Sequence, residues 1–143
     1  MVERGQKPKS VPAPYALALV VCDAIWRDPS TGKRTILGCF SAILAKEFPT
    51  NHPLISVYAA ITDGHGKVPV ALRLVDVDEE RDPVLELKGE VQFDDPRIVA
   101  EIDFAAANIV IPGSGEYRLQ LMSGANLLME RRIAVLKVGG QKA

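Results

Sequence analysis

The sequence has few of the residues from which metal, disulfide and nucleophile sites are built. It contains two cysteines, two histidines and one tryptophan in 143 residues. It also lacks the Gly-x-Gly-x-x-Gly, Gly-x-x-x-x-Gly-Lys, His-Glu-x-x-His and Gly-x-Ser-x-Gly motifs. Those motifs mark dinucleotide, phosphate, zinc-protease and serine-hydrolase sites. We therefore expect no catalytic residue, cofactor or metal of these kinds, and an enzyme of unrecognised type stays an alternative.

The sequence also has almost no net charge and no long apolar run. The 17 basic and 18 acidic residues give a formal charge of −1, which offers no electrostatic footprint for nucleic acid or an anionic membrane. No run approaches the roughly 18 apolar residues of a membrane span. Residues 15–21 before Cys22 are too short for a lipoprotein signal, and Val21 is not the small residue that cleavage needs. We expect a cytoplasmic protein that binds neither nucleic acid nor membrane.

What the sequence does contain is alternation of apolar and polar residues, most clearly near its C-terminus. After Gly113-Ser114-Gly115, the apolar residues Tyr117, Leu119 and Leu121 alternate with charged and polar ones. A period of two is typical of a strand with one buried face. Residues 123–126 predict a tight turn, and residues 127–138 predict a returning strand. A tyrosine at the start of a late strand is typical of the tyrosine corner of immunoglobulin-like sandwiches.

The same patterns predict about eight strands, separated by Gly, Pro and Asp-rich turns, and no amphipathic helix. We therefore predict an all-β fold, an antiparallel two-sheet β-sandwich of the immunoglobulin-like or C2-like kind. The sandwich should occupy residues 15–138, with a flexible arm at 1–14 and a flexible tail at 139–143. The predicted strands are Tyr15–Trp26, Thr35–Leu44, Leu54–Thr62, Val68–Val77, Val84–Phe93, Ile98–Phe104, Glu116–Leu121 and Leu127–Val138.

Three local features qualify this pattern. Gly38, in the middle of the second predicted strand, indicates a bulge or a point of close approach. Residues 45–53 contain Pro49 and Pro53, which predicts the longest irregular connection. The run Ala105–Asn108 is the one place where a short helical turn is expected.

The first three predicted strands carry more apolar residues than one buried face needs. Residues 16–25, 36–44 and 54–61 are apolar on nearly both faces. Either a loop or the N-terminal arm covers the outer face, or that face is an interface with a second copy or a protein partner. Because no catalytic pattern is found, we favour a non-enzymatic binding or assembly module. Trp26, at the end of the first strand, suits a core cap better than a ligand platform.

The alternative function is a cation or small-ligand site at one end of the sandwich, built from loop carboxylates as calcium sites are. If consecutive strands run antiparallel, alternate loops share an end. One end then gathers Asp28, Asp63, His65, Asp94 and Asp95, and the other gathers Glu47, His52, Asp78, Glu79, Glu80 and Asp82. Turns also use acidic residues for local hydrogen bonds, so the pattern by itself does not assign a metal.

Two further groups have competing interpretations. Cys22 and Cys39 lie on consecutive strands. The first interpretation is that they are inert core thiols, the second is that they form a disulfide, and the least favoured is that they are reactive. In the loop Phe48–Pro53, Phe48 either plugs the end of the sandwich while His52 fixes the turn by hydrogen bonding, or the stiff loop presents His52 to a partner.

Several short motifs together resemble a family of short bacterial proteins described only as a domain of unknown function. They are Val21-Cys22-Asp23, Gly32-Lys33, Leu37-Gly38-x-Phe40, Phe48-Pro49-x-x-His52-Pro53 and a late Pro-Gly…Glu-Tyr turn. The late turn is longer here, Pro-Gly-Ser-Gly-Glu-Tyr, than the compact form of the family. The resemblance covers roughly residues 15–138. It implies a β-sandwich and no assigned activity.

Overall fold

The computed structural model describes residues 12–77 and 81–139, and these residues form nine β-strands. They are β1 (Tyr15–Arg27), β2 (Arg34–Cys39), β3 (Ala42–Ala45), β4 (Thr50–Thr62), β5 (Gly66–Asp76), β6 (Leu85–Phe93), β7 (Ala100–Ile111), β8 (Gly115–Ser123) and β9 (Asn126–Lys137).

The strands form two sheets that pack face to face. The four-stranded sheet has the order β2-β1-β4-β7, and the five-stranded sheet has the order β3-β9-β8-β5-β6. All neighbours pair antiparallel except β3 and β9, which are parallel. The predicted antiparallel sandwich is therefore confirmed, with this one parallel pair as an addition.

The core between the sheets consists of the alternating apolar residues that the sequence places on one face of each strand. Fully buried members come from β4 (Ile55, Ile61), β5 (Leu72, Leu74), β8 (Leu119, Leu121) and β9 (Ile133, Val135). At about 25 cal/mol for each Å² of apolar surface removed from water, each such side chain contributes roughly 1.5–3 kcal/mol.

Among the described residues there is no helix long and apolar enough to cross a membrane.

The C-terminal hairpin forms as predicted. Ser123 and Asn126 are paired at its end, and Gly124 adopts the left-handed backbone conformation that the two-residue turn needs (φ 58°). At the other end of β8, the Tyr117 hydroxyl donates a 2.8 Å hydrogen bond to the carbonyl oxygen of Gly113. Tyr117 is buried, so this bond is the tyrosine corner that the sequence indicates.

The predicted single strand Thr35–Leu44 is wrong, because the chain changes sheet within it. β2 ends at Cys39, Phe40 donates a backbone hydrogen bond to Val21, and β3 then pairs with β9 in the other sheet. Gly38 has a φ of +70°, and a side chain there would lie 2.3 Å from the Asp23 carboxylate. The glycine therefore marks a close approach, as predicted, and it precedes the change of sheet.

Two other local predictions are also wrong. β4 begins at Thr50, so it includes residues 50–53, which the two prolines had placed in an irregular connection. Ala105–Asn108 lies inside β7 and is not helical. Asn108 has a φ of 55°, and the buried face changes there, since Phe104 precedes it on the core side while Ile109 and Ile111 follow. The predicted arm and tail lie mostly outside the described residues.

Candidate functional site on the outer face of the four-stranded sheet

The hairpin of β1 and β2 crosses the outer face of its own sheet. β1 pairs with β4 only through Cys22, and beyond that residue it pairs only with β2. Arg34, at the start of β2, nevertheless contacts β7, although β1 and β4 stand between them in the sheet order. Strands about 4.8 Å apart would place β2 some 14 Å from β7 in a flat sheet. That gap exceeds the length of an arginine side chain, so the hairpin must fold over β4.

An ionic cluster attaches the hairpin to the sheet beneath it. The Arg34 guanidinium donates to Glu101 Oε1 at 2.9 Å and to Asp103 Oδ1 at 2.5 Å. The Tyr58 hydroxyl donates to the second oxygen of Glu101 at 2.5 Å. The Arg34 side chain is only 11% exposed. Three members of the cluster, Arg34, Tyr58 and Glu101, line a hollow of about 410 Å³ together with Lys33 and Ile36.

The surroundings fix the protonation states of Arg34 and Tyr58. Burial of Arg34 acts to lower its pKa, but the hydrogen bond and charge of Asp103 and the charge of Glu101 outweigh burial and leave the pKa above its usual range. Burial, together with the hydrogen bond and negative charge of Glu101, raises the pKa of Tyr58 to about 12. At neutral pH the arginine is therefore charged and the tyrosine neutral, and each is engaged by an acidic group of the same cluster.

The hairpin explains part of the apolar surplus in the first three predicted strands. Cys22, Ser56 and Ala60 are buried, yet they are not members of the core between the sheets. They lie on the outer face of β1 and β4, where the chain covers itself. Among the described residues, the covering element is the β1–β2 hairpin. Most of the N-terminal arm, which the sequence suggested as a cover, lies outside the described residues.

Apolar side chains remain exposed in two places on this side of the molecule. On the hairpin, Trp26 is 52% exposed and Leu37 is 48% exposed, so Trp26 is not the core cap we predicted. Farther along the sheet lies an uncharged group of exposed residues that we name the β7 strip: Leu54, Ala105, Ala107 and Val110. Within the strip, Leu54 and Ala107 are direct cross-strand partners of β4 and β7.

The predicted carboxylate site does not assemble as a metal centre. Within residues 12–77 and 81–139, no group of three or more His, Cys, Asp or Glu side chains could hold a metal ion. The Asp28 carboxylate accepts hydrogen bonds from Ser30 and Thr31 in its own turn. The Asp95 carboxylate likewise accepts a hydrogen bond from the Arg97 guanidinium in its own turn.

Some of the predicted neighbours do lie close together. The backbone N–H of Asp63 donates to the Pro96 carbonyl, so the turn with Asp63 and His65 adjoins the turn with Asp94 and Asp95. For the opposite group, Asp78, Glu79 and Glu80 lie outside the described residues. Asp28 and Asp95 therefore serve their own turns, which is the usual role of acidic residues in turns.

Of the two interpretations of the loop before β4, the structural one agrees with the position of Phe48. Phe48 packs against the core from the end of the sandwich. The His52 ring lies against the Phe40 ring, with 5.8 Å between centroids and a 45° tilt. His52 is half-buried, and this ring contact joins β4 to the segment that leaves β2.

Sequence reasoning missed the cluster of Arg34, Tyr58, Glu101 and Asp103. The alternation of apolar and polar residues in β7 does place Glu101 and Asp103 on the outer face. Nothing in a linear pattern shows that a hairpin more than sixty positions earlier lies over them. The paired runs of the hairpin itself were visible, but the point at which it leaves the sheet was not.

Comparison with known proteins gives a family and a distant structural likeness. Residues 17–136 match the sequence profile of a family of unknown function, DUF6941, which confirms the resemblance to a domain of unknown function. No curated protein matches significantly. Among solved structures, the chain is similar to an immunoglobulin-like protein from Pseudomonas aeruginosa. The two share 15% identity over 90% of this chain and 100% of that one, with a TM-score of 0.41.

Proposed function

The chain belongs to the DUF6941 family, a family of unknown function, and we propose from its surfaces that it is a non-enzymatic assembly module. In this proposal it pairs with a second copy of itself. The contact is the β7 strip together with the adjacent free edge of β7. The observation that carries this proposal is the uncharged stretch of β7 at the edge of the sheet.

The four outermost strands differ in how they are protected against pairing. β3 is only 4 residues long, β6 carries Glu86, Lys88 and Glu90, and β2 has the left-handed Gly38. Short length, charge and local irregularity are the usual means by which natural proteins protect a sheet edge. β7 is 12 residues long and has no charged residue from Phe104 to Ile111.

β7 contains one irregular residue, Asn108, but the part of the strand before it is regular. Asn108 adopts a left-handed conformation, which interrupts the strand near its end. The residues before it, Phe104–Ala107, keep a continuous register with β4. We therefore place the centre of the contact on Ala105 and Ala107, whose small exposed side chains allow close approach.

Charge favours a second copy over a charged partner. The β7 strip is uncharged, so a charged surface would lose hydration there without gaining a counter-charge. Antiparallel pairing about a two-fold axis sets the acidic end of each β7 opposite the uncharged end of the other. The whole chain carries a net charge of only −1, so long-range repulsion between copies is small.

The polar groups of the outer face support a binding role over a catalytic one. Arg34, Tyr58, Glu101 and Asp103 bond to one another, and the raised pKa of Tyr58 keeps that hydroxyl neutral. A general base or nucleophile needs an unengaged group with a pKa near the working pH. This cluster holds a hairpin in place and supplies no such group.

Sedimentation velocity of the full chain and of two charge variants tests the proposal. Ala107→Lys and Val110→Lys each place a cation in the strip at an exposed position, so both should fold. The matched control is Gln92→Lys, which adds the same charge to an exposed position on the β6 edge. We expect a dimer for the wild type and the control, and a monomer for both strip variants. A wild-type monomer throughout the micromolar range, or strip variants that dimerise like the control, would refute the proposal.

A further inference from the structure

The two cysteines lie directly opposite each other across two antiparallel strands. Cys22 of β1 and Cys39 of β2 are Cα partners in the register. Such partners lie about 4.5–5.5 Å apart and point their side chains to the same face. A disulfide requires Cα atoms roughly 4.4–6.8 Å apart. The thiols are free, and the backbone already holds them in a geometry that a disulfide accepts.

The two thiols differ sharply in access. Cys22 is fully buried, and its Sγ lies 3.5 Å from the carbonyl oxygens of both Ala24 and Ser56. Cys39 is exposed at the end of β2. A soluble reagent therefore reaches Cys39 first, and Cys22 can react only with a group that is already attached to Cys39.

We propose that Cys22 and Cys39 form a site of reversible oxidation, which a low-molecular-weight disulfide converts to an intramolecular disulfide. The Cys39 thiolate attacks one sulfur of the reagent, which forms a mixed disulfide and releases the first reagent thiolate. Cys22 then gives its proton to solvent and attacks the Cys39 sulfur. This step forms the Cys22–Cys39 bond and expels the second reagent thiolate. Two protein thiols are oxidised, the reagent disulfide is reduced to two thiols, and the two protons pass to them.

The second step should be slow at neutral pH. Burial raises the pKa of the Cys22 thiol, and the charges of Asp23 and Asp103 add to this effect, while the backbone hydrogen bond with Ala24 opposes it. The charge of Cys39, which also raises this pKa in the free dithiol, is absent once Cys39 is in the mixed disulfide. Since the thiolate is the attacking form, the mixed disulfide on Cys39 should accumulate before the ring closes. Closure should become faster as pH rises.

The position of the pair gives the bond a structural consequence. Cys22 is the last β1 residue paired with β4, and Cys39 is the last residue of β2 before the chain changes sheet. A bond between them closes the segment 22–39 at the base of the crossing hairpin. Closing a loop of this length raises the melting temperature on the order of 10 °C. Oxidation therefore joins the two strands of the hairpin covalently at its base, at the residue where β1 leaves β4.

The test treats the reduced, full-length chain with oxidised glutathione and follows intact mass with time under native conditions. We expect a transient adduct of one glutathionyl group, then a product that has lost two hydrogen atoms and melts at higher temperature. A non-reducing peptide map should join Cys22 to Cys39. Cys22→Ala should stop at the adduct, and Cys39→Ser should react far more slowly than the wild type.

Three outcomes would overturn the proposal. They are an adduct on wild-type Cys39 that never closes, even at pH 9, a covalent dimer through Cys39 as the main product, and Cys39→Ser modified at Cys22 as fast as the wild type. If Cys22→Ala does not fold, the wild-type time course and peptide map alone decide between these outcomes and the expected one.

Discussion

Replacing Arg34 with methionine should loosen the hairpin from the face of the sheet. Methionine keeps an apolar stem of similar length and removes the guanidinium, so the change isolates the ionic contacts. The Arg34 side chain is 11% exposed, while Asp103 is 27% and Glu101 is 43% exposed. These contacts are more sheltered than surface pairs, which contribute about 0–1 kcal/mol. They are less sheltered than buried pairs, whose disruption costs about 3–5 kcal/mol.

We therefore expect Arg34→Met to lower the free energy of unfolding by about 1.5–2.5 kcal/mol. Urea denaturation followed by circular dichroism measures this quantity, and the fluorescence of Trp26 reports on the hairpin itself. A double-mutant cycle with Asp103→Asn should give a coupling of about 1 kcal/mol. The cycle with Glu101→Gln should give less, because water reaches Glu101 more easily.

The matched control is Arg97→Met. Arg97 also pairs with an aspartate, Asp95, at 2.8 Å, but its side chain is 88% exposed. This substitution should leave the unfolding midpoint in urea unchanged, because water screens so exposed a pair. If Arg34→Met costs no more than Arg97→Met, or if the coupling to Asp103 is zero, the cluster does not hold the hairpin and our account of this face is wrong.

Three further predictions concern single positions. Gly38→Ala should destabilise the chain by about 2–4 kcal/mol, and Gly32→Ala by about 1–2 kcal/mol. Both glycines have a left-handed φ, but only at Gly38 would the new Cβ meet a carboxylate; equal values in chemical denaturation would contradict this. Tyr117→Phe should cost about 1 kcal/mol, since the hydrogen bond to the Gly113 carbonyl is lost, and an unchanged unfolding midpoint would count against a tyrosine corner. The pKa of Tyr58 is raised to about 12, so the stability that its protonated form contributes is complete below pH 10. This stability is lost as pH rises toward 12, by roughly 2–3 kcal/mol. Ultraviolet titration should show an ionisation near pH 12 that Tyr58→Phe removes.

Local pattern was sufficient for much of the fold. In β8, alternation assigned Tyr117, Leu119 and Leu121 to the core, and all three are buried there. The two-residue turn and the tyrosine corner also followed from residue types whose backbone or hydroxyl has a specific role. These features depend on residues only a few positions apart, so they can be predicted from the local sequence.

The candidate site depended on long-range placement and could not be predicted in the same way. A period of two shows that Glu101 and Asp103 face away from the core, but it does not show which segment lies above them. Likewise, Gly38 indicated a close approach without showing that the chain then changes sheet. In the first three strands, apolar residues on both faces indicated two coverings. The hairpin supplies one of them. The sequence left open whether the outer face is covered within the chain or by a partner, because the pattern does not show where the hairpin lies.

Amide hydrogen exchange of β7 at two protein concentrations tests the assembly proposal most directly. If copies pair along this edge, the amides of residues 104–107 that point away from β4 should exchange more slowly at high concentration than at low concentration. The amides of β2 and β6, the other long outermost strands, should exchange at the same rate in both samples. Exchange in β7 that does not depend on concentration, or protection that grows on β2 or β6 instead, would contradict the proposal.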